Sequence, residues 1–130
     1  MDGNGYIQGQ LATIAWIDGL ESGLNGMHAV AWVVRNRVIA GWRSGDWVAN
    51  IWALYRERSR EWGEPPDVRD PSFLSLLQSV DLIYKGDAVD KLSNGALYYD
   101  CLNHAAIRTP EHYGRTYTFL AKIGTLTLYK

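Results

Sequence analysis

Two carboxylates, Asp18 and Glu21, lie where a strongly apolar segment meets a glycine-rich break in "IDGLESGLNGMHAVAWVVRNRV", residues 17–38. They are one helical turn apart, so on a helix they would share a face. A carboxyl in apolar surroundings has a raised pKa and can act as a general acid near neutral pH. The pair is therefore a candidate site for general acid/base chemistry. The alternative is a polar helix end that pairs with Arg35 or Arg37.

The spacing of the apolar residues predicts that a helix from residue 6 to about residue 21 carries these acids. Its stripe consists of Ile7, Leu11, Ile14, Asp18 and Glu21. Both acids are therefore expected on the core side of the last turn. Gly23 and Gly26 then predict a stop and a turn.

The next helix is predicted from residue 27 to about residue 40, and its nearly continuous apolar content makes it the expected centre of the fold. Asn36 and Arg37 interrupt this helix with polar groups that are costly to bury unless they are satisfied. We expect Asn36 to be buried and bonded to backbone, in the loop that carries Glu21 or in the segment around Tyr98. Arg37 should pair with an acid.

Two further helices follow in the sequence. Residues 47–62 form one, with Ser44 or Asp46 as its N-cap, and the mixed charges of "RERSRE" at residues 56–61 predict a solvated face. Asp70 before Pro71 predicts the start of the other, and Gly86 ends it. The segments "ALYYDC" and "TFLAKIGTLTLYK" are typical of β-strands, the second around Gly124. The prediction is a mainly α (α+β) single domain over residues 1–130, with a small antiparallel β element near its C-terminus.

Composition narrows the classes of function. The chain has 130 residues, 47% of them hydrophobic and 21% charged, and a formal net charge of −1. A near-neutral chain lacks the general electrostatic attraction that nucleic acids and anionic lipids exert on basic proteins. No segment approaches the length of apolar residues that a membrane helix needs. Cys101 is a lone cysteine, and His28, His104 and His112 fit no common zinc spacing. The sequence predicts no metal and no cofactor.

The segment "GMHAVAWVVRNRV", residues 26–38, resembles the central helix of the SleB-type cell-wall hydrolases. These are small lysozyme-like muralytic domains found in spore-cortex lytic enzymes and in many phages. Asn36, Arg37 and Val38 match the Asn-Arg-Val that ends the family's helix. The segments "DPSFLSLLQSVDLIYKGD", "NGALYYD" and "AKIGTLTLY" resemble later parts of the family in the same order. The resemblance implies a lysozyme-like fold and a peptidoglycan substrate.

The chain departs from that family at its catalytic motif. A gap-free register places Trp16 on the family's aromatic residue, Asp18 on its catalytic Glu and Ser22 on its second Glu. A competing register rests on "ESGLN", which resembles the Glu-Ser motif of lytic transglycosylases, where one Glu is the sole acid/base. The catalytic candidates are therefore Glu21 and Asp18. Glu21 is favoured because its side chain is longer and lies nearer the glycines, which leave room for a ligand.

The resemblance leads to two functional expectations. The first is cleavage of peptidoglycan glycan strands, of lytic transglycosylase or muramidase type, with a carboxyl as general acid/base. The second is a catalytically inactive homologue that acts as a glycan-binding or structural component of a phage tail or similar particle. An interaction protein with a fortuitous resemblance is a third interpretation. The expected substrate-binding residues are Trp16, Ser22, Asn36, Ser59, Tyr98 and Tyr99.

The resemblance also bears on partners and location. Peptidoglycan glycan strands are the expected partner, together with other phage or particle proteins, and no nucleic acid or membrane span is expected. The segment "MDGNGYIQGQ" lacks the basic region and apolar run of a secretory signal. We therefore expect a phage particle, or export to the cell envelope by another route.

Overall fold

The computed structural model describes residues 5–101 and 117–130, apart from the side chain of Glu61. Its helices are α1 Gly5–Gly19, α2 Gly23–Ile39, α3 Trp47–Arg58 and α4 Pro71–Lys85. Short 3₁₀ turns lie at Leu20–Ser22, Trp42–Gly45 and Ser59–Glu61. The strands are β1 Tyr98–Asp100, β2 Phe119–Ile123 and β3 Leu126–Tyr129. The protein is mainly helical with a small three-stranded antiparallel sheet near its C-terminus, which confirms the predicted α+β class.

Helix α2 is the centre of the structure, as its apolar sequence predicts. An unbroken run from Ala29 to Val34 is buried, which a helix can sustain only when neighbours pack around its circumference. Helices α1 and α4 supply that cover, with Leu11 and Leu76 in the same apolar cluster. Within the described ranges, no helix combines the length and apolarity needed to cross a bilayer.

Local capping interactions fix the helix ends. A side-chain oxygen directly before a helix can accept hydrogen bonds from the first free backbone N–H groups of that helix. Asp46, rather than Ser44, caps α3, and its Oδ1 accepts hydrogen bonds from the backbone N–H of Val48 at 2.8 Å and of Ala49 at 3.2 Å. Asp70 caps α4 in the same way, directly before Pro71. Helix α4 ends at Gly86, which has a φ of 82°. Glycine adopts this left-handed conformation without strain.

The junction between α1 and α2 is tighter than the sequence predicts. Helix α1 ends at Gly19 instead of Glu21, and α2 begins at Gly23, so Gly26 lies inside α2 rather than in a turn. A Cβ on Gly26 would lie 2.4 Å from the Cβ of Ser22. A Cβ on Gly19 would lie 2.6 Å from the Cα of Met27. The prediction of a turn at Gly26 was wrong, because this glycine lies within α2 and permits close packing of the backbone.

The sheet packs its hairpin turn onto this junction. The strand order is β1-β3-β2, with Tyr98 opposite Tyr129 and Ile123 opposite Leu126. Leu126 and Leu128 are buried in the core. Gly124, in the predicted turn, has a φ of 58°, and a Cβ there would come within 3.0 Å of Ser22. The β2–β3 turn therefore lies against the residue that follows Glu21.

Candidate functional site

Asp18 is the centre of a buried polar cluster. Its side chain is only 2% exposed and accepts four hydrogen bonds. The guanidinium of Arg58 donates two of them, from Nε at 3.2 Å and from Nη2 at 3.1 Å. The indole Nε1 of Trp62 donates at 2.8 Å and the hydroxyl of Tyr99 at 2.5 Å. Each carboxylate oxygen of Asp18 accepts two of these hydrogen bonds, one of them from Arg58, so the charge of Asp18 is compensated inside the protein.

Three different elements bring these donors together. Arg58 is the last residue of α3, Trp62 follows the 3₁₀ turn after that helix, and Tyr99 is the middle residue of β1. The thiol of Cys101, two residues beyond Tyr99, lies 3.4 Å from the carbonyl oxygen of Asp18. The cluster therefore ties the end of α1 to α3 and to the sheet.

The electrostatics of the cluster follow from burial and from the charge of Asp18. Burial, followed by that charge, raises the pKa of Tyr99 well above its ordinary value, so its hydroxyl stays a donor. Burial alone would lower the pKa of Arg58, but the hydrogen bonds and the charge of Asp18 raise it above its ordinary value. Burial and the same charge raise the pKa of Cys101 to about 12. At neutral pH the thiol therefore keeps its proton, whereas the thiolate is the reactive form of a cysteine.

Glu21 lies in a different environment. It is exposed, in the 3₁₀ turn that follows α1, and within residues 5–101 and 117–130 it makes no hydrogen bond or ion pair. The expectation that both acids face the core is met by Asp18 and was wrong for Glu21. The side chains of α3 and β1 that cover Asp18 do not extend to Glu21, which lies on the next turn of the chain.

Ser22 joins the Glu21 turn to the sheet. Its hydroxyl oxygen accepts a hydrogen bond from the backbone N–H of Thr125 at 3.0 Å and lies 3.0 Å from the Thr125 hydroxyl. The predicted substrate-binding hydroxyl of Ser22 is thus engaged with the β2–β3 turn. Glu21 therefore lies beside the seam between the helical body and the hairpin, which is formed by the contact of Ser22 with Thr125.

The remaining predicted substrate-binding residues do not gather around Glu21 in one cluster. The ring of Trp16 packs edge-on against Phe73, with a centroid distance of 5.7 Å. Ser59 is exposed at the start of the 3₁₀ turn after α3. Tyr98 packs against Trp42 and Tyr117, whereas Tyr99 points inward to Asp18. His104 and His112 lie outside the described residues.

Asn36 and Arg37 join the central helix to the start of the sheet. The amide Nδ2 of half-buried Asn36 donates to the hydroxyl of Ser93 and to the carbonyl oxygen of Ala96, both at 3.0 Å. This confirms the predicted backbone bond to the Tyr98 segment, whereas the expected full burial of Asn36 was wrong. Buried Arg37 donates from Nε to the carbonyl of Leu97 at 2.7 Å. The pairing of Arg37 with an acid stays a prediction.

The sequence reasoning missed Arg58 as the partner of Asp18. The mixed charges of residues 56–61 predicted a solvated face, but the Arg58 side chain is only 14% exposed. Its position carried a signal, because Ile51, Leu54 and Arg58 recur at helical spacing on the buried face of α3. A charged residue on an apolar stripe predicts a buried counter-charge.

Comparison with known proteins finds no match for this chain. No protein-family model, no curated protein and no solved structure matches the chain. In the part of the chain that the structure describes, no group of three or more His, Cys, Asp or Glu side chains is arranged to hold a metal ion.

Proposed function

We propose that this protein cleaves the glycan strands of peptidoglycan, with Glu21 as the single acid/base of a lytic transglycosylase-type reaction. The observation that carries the proposal is the contrast between the two acids. Asp18 is buried and accepts four hydrogen bonds, whereas Glu21 is exposed beside the seam between helices and hairpin. An extended glycan strand lying along that seam would reach Glu21 and not Asp18.

The environment of Asp18 explains why one carboxylate would have to suffice. A hydrolase with two carboxyl groups uses the second as nucleophile or as base for water. Asp18 cannot leave Arg58 without exposing an uncompensated buried charge, which costs several kcal/mol. A transglycosylase needs no second carboxylate, because a hydroxyl of the substrate is the nucleophile.

The proposed reaction places both proton transfers on Glu21. Its carboxylic acid protonates the glycosidic oxygen as the bond from that oxygen to the anomeric carbon breaks. The resulting carboxylate takes the proton from the sugar hydroxyl that attacks the anomeric carbon, which forms an anhydro ring. The acid is regenerated without water. Ser22, held by Thr125, fixes the backbone next to Glu21 and so limits the positions of the carboxyl.

Purified peptidoglycan provides the test. Wild-type protein should clear a peptidoglycan suspension and release fragments whose masses correspond to anhydro-muramyl ends. Glu21→Gln should remove this clearing, while Glu64→Gln, which changes an exposed loop acid in the same way, should keep it. Fragments with reducing ends would instead mean hydrolysis. Equal clearing by Glu21→Gln and wild type would exclude Glu21 as the acid.

A second candidate function is favoured by the state of Asp18. The gap-free register of the family resemblance assigns the catalytic position to Asp18, and a carboxylate fixed by Arg58, Trp62 and Tyr99 is not available to a substrate. The chain would then bind glycan strands without cleaving them, as a structural component of a phage tail or similar particle. Co-sedimentation of wild-type protein with intact peptidoglycan, without clearing or released fragments, is the result that would select this function.

A further inference from the structure

A cleft between α2 and α4 has neither Asp18 nor Glu21 among its lining residues. Its volume is about 460 Å³, within the range of pockets that hold small molecules. Its apolar walls are formed by Trp32 of α2, Leu82 and Ile83 of α4, and Val89 and Leu92 of the loop after α4. Leu82 is 49% exposed and Val89 is 77% exposed, so apolar surface continues to the mouth of the cleft.

The loop that closes one side of the cleft is held in place by hydrogen bonds. The carboxylate of Asp90 accepts from the backbone N–H of Leu92 at 2.9 Å and of Ser93 at 2.8 Å. The Ser93 hydroxyl donates to the same carboxylate and accepts from Asn36 of α2. These bonds join the loop to the central helix, so the wall is formed before any ligand binds.

Among the described residues that line the cleft, the one charged side chain is a cation. Lys91 is a lining residue, none of the described lining residues is Asp or Glu, and Asn25 adds an amide at the edge. His28 also lines the cleft, and burial lowers the pKa of His28, which favours the neutral ring near pH 7. The Nε2 atom of His28 is buried and has no hydrogen-bond partner among the described residues. Such a state costs free energy in a folded protein.

We propose that this cleft binds a small amphipathic monocarboxylate. The apolar walls would take the hydrocarbon part, and the ammonium group of Lys91 would pair with the carboxylate at the edge. A small rotation of the His28 ring would give its imidazole a hydrogen bond to the same carboxylate. A cationic ligand would be repelled by Lys91, and no acid among the described lining residues would compensate that repulsion. A neutral ligand would form no ion pair with Lys91.

Octanoate and 1-octanol are suitable probes, because they share an apolar chain and differ in charge. Each is titrated into ¹⁵N-labelled full-length protein and followed by two-dimensional NMR. Octanoate should shift the resonances of Trp32 and Leu92, with saturation at millimolar concentration or below, and should bind more tightly than octanol. No saturable shift at these residues, or equal affinity for the two probes, would overturn the proposal.

Three variants separate the cleft from non-specific binding. Lys91→Gln should weaken octanoate binding by about two- to fivefold, as expected for an exposed ion pair, and should leave octanol binding unchanged. Lys122→Gln removes the same charge from exposed β2 and should change neither affinity. Ala88→Trp places a large ring at a lining residue and should reduce the binding of both probes. Indistinguishable octanoate affinities for Lys91→Gln and Lys122→Gln would refute the role of Lys91.

Discussion

Asp18 and Glu21 are separated by only two residues, yet the side chain of Asp18 is buried and accepts four hydrogen bonds, whereas Glu21 is exposed. Asp18 receives donors from the end of α3 and from β1. Glu21, one turn further along the chain, lies beyond these covering residues, and its neighbour Ser22 contacts the hairpin turn instead. One turn of helix advances the chain by about 5.4 Å, enough to pass from a packed interface to solvent.

The difference predicts different roles for the two carboxylates. A carboxylate with a full set of internal donors stabilises the fold and offers nothing to a substrate. An exposed carboxylate contributes little to the fold and can meet a ligand. The comparison therefore predicts that substitutions at Asp18 and its donors reduce stability, whereas substitution of Glu21 changes function alone.

The largest expected effect is on stability, from Asp18→Asn. Loss of the carboxylate charge leaves Arg58 partly buried without its counter-charge. The free energy of unfolding should therefore fall by about 3 kcal/mol, which urea denaturation measures. Asp67→Asn, which removes an exposed pair with Arg69, is the matched control and should change stability little. An Asp18→Asn protein as stable as wild type would end the distinction between the two acids.

Tyr99→Phe tests one donor of the cluster. The change removes a buried hydrogen bond to a carboxylate and nothing else. A hydrogen bond to a charged group of this kind is worth about 2 kcal/mol in the free energy of unfolding, and we expect a loss of that size. Thermal and urea denaturation should agree on the direction. Tyr6→Phe removes a hydroxyl from an exposed tyrosine and serves as the control. A similar loss in both variants would show that the hydroxyl bond to Asp18 adds no stability.

Ser22→Ala tests the attachment of the hairpin turn beside Glu21. The backbone N–H of Thr125 would lose its acceptor, and we expect the free energy of unfolding to fall by about 1 kcal/mol. Hydrogen exchange at Thr125 should also become faster. Ser75→Ala, at an exposed position of α4, should leave both measurements unchanged. Unaltered exchange at Thr125 in Ser22→Ala would contradict the attachment.

The thiol of Cys101 gives the cluster a pH dependence. Its pKa is about 12 in the folded protein, because of burial and the charge of Asp18, and is lower in the unfolded chain. The folded state keeps the proton to higher pH, so the stability associated with this group is present at neutral pH and is lost as pH rises from about 9 to about 12. Urea denaturation across this range should show a steeper decline for wild type than for Cys101→Ala. Equal slopes would contradict the assigned environment.

The smallest expected effect on stability is that of Glu21→Gln. This carboxylate is exposed and makes no hydrogen bond among the described residues. Replacement of such a surface group should change the free energy of unfolding by less than about 0.5 kcal/mol. The variant should therefore remain folded while it loses the proposed peptidoglycan clearing. A marked loss of stability would mean that Glu21, like Asp18, has a structural role.

Much of the architecture could be predicted from the sequence, because helix ends and tight turns are set by neighbouring residues. Asp70 with Pro71 starts α4, Gly86 ends it, and Gly124 turns the hairpin. Each depends on a local cap or on a φ that few residues adopt. The central position of α2 followed from its composition, since a helix apolar on most of its circumference must be surrounded.

The environments of the two acids were not predictable in the same way. The sequence placed Asp18 and Glu21 on one stripe, and only packing decided that Arg58, Trp62 and Tyr99 cover the first and stop short of the second. These donors come from positions 40 to 81 residues further along the chain. Periodicity predicts the direction of a side chain on its own helix. Burial and pairing depend on which distant elements pack over that side chain, and only the tertiary structure fixes this packing.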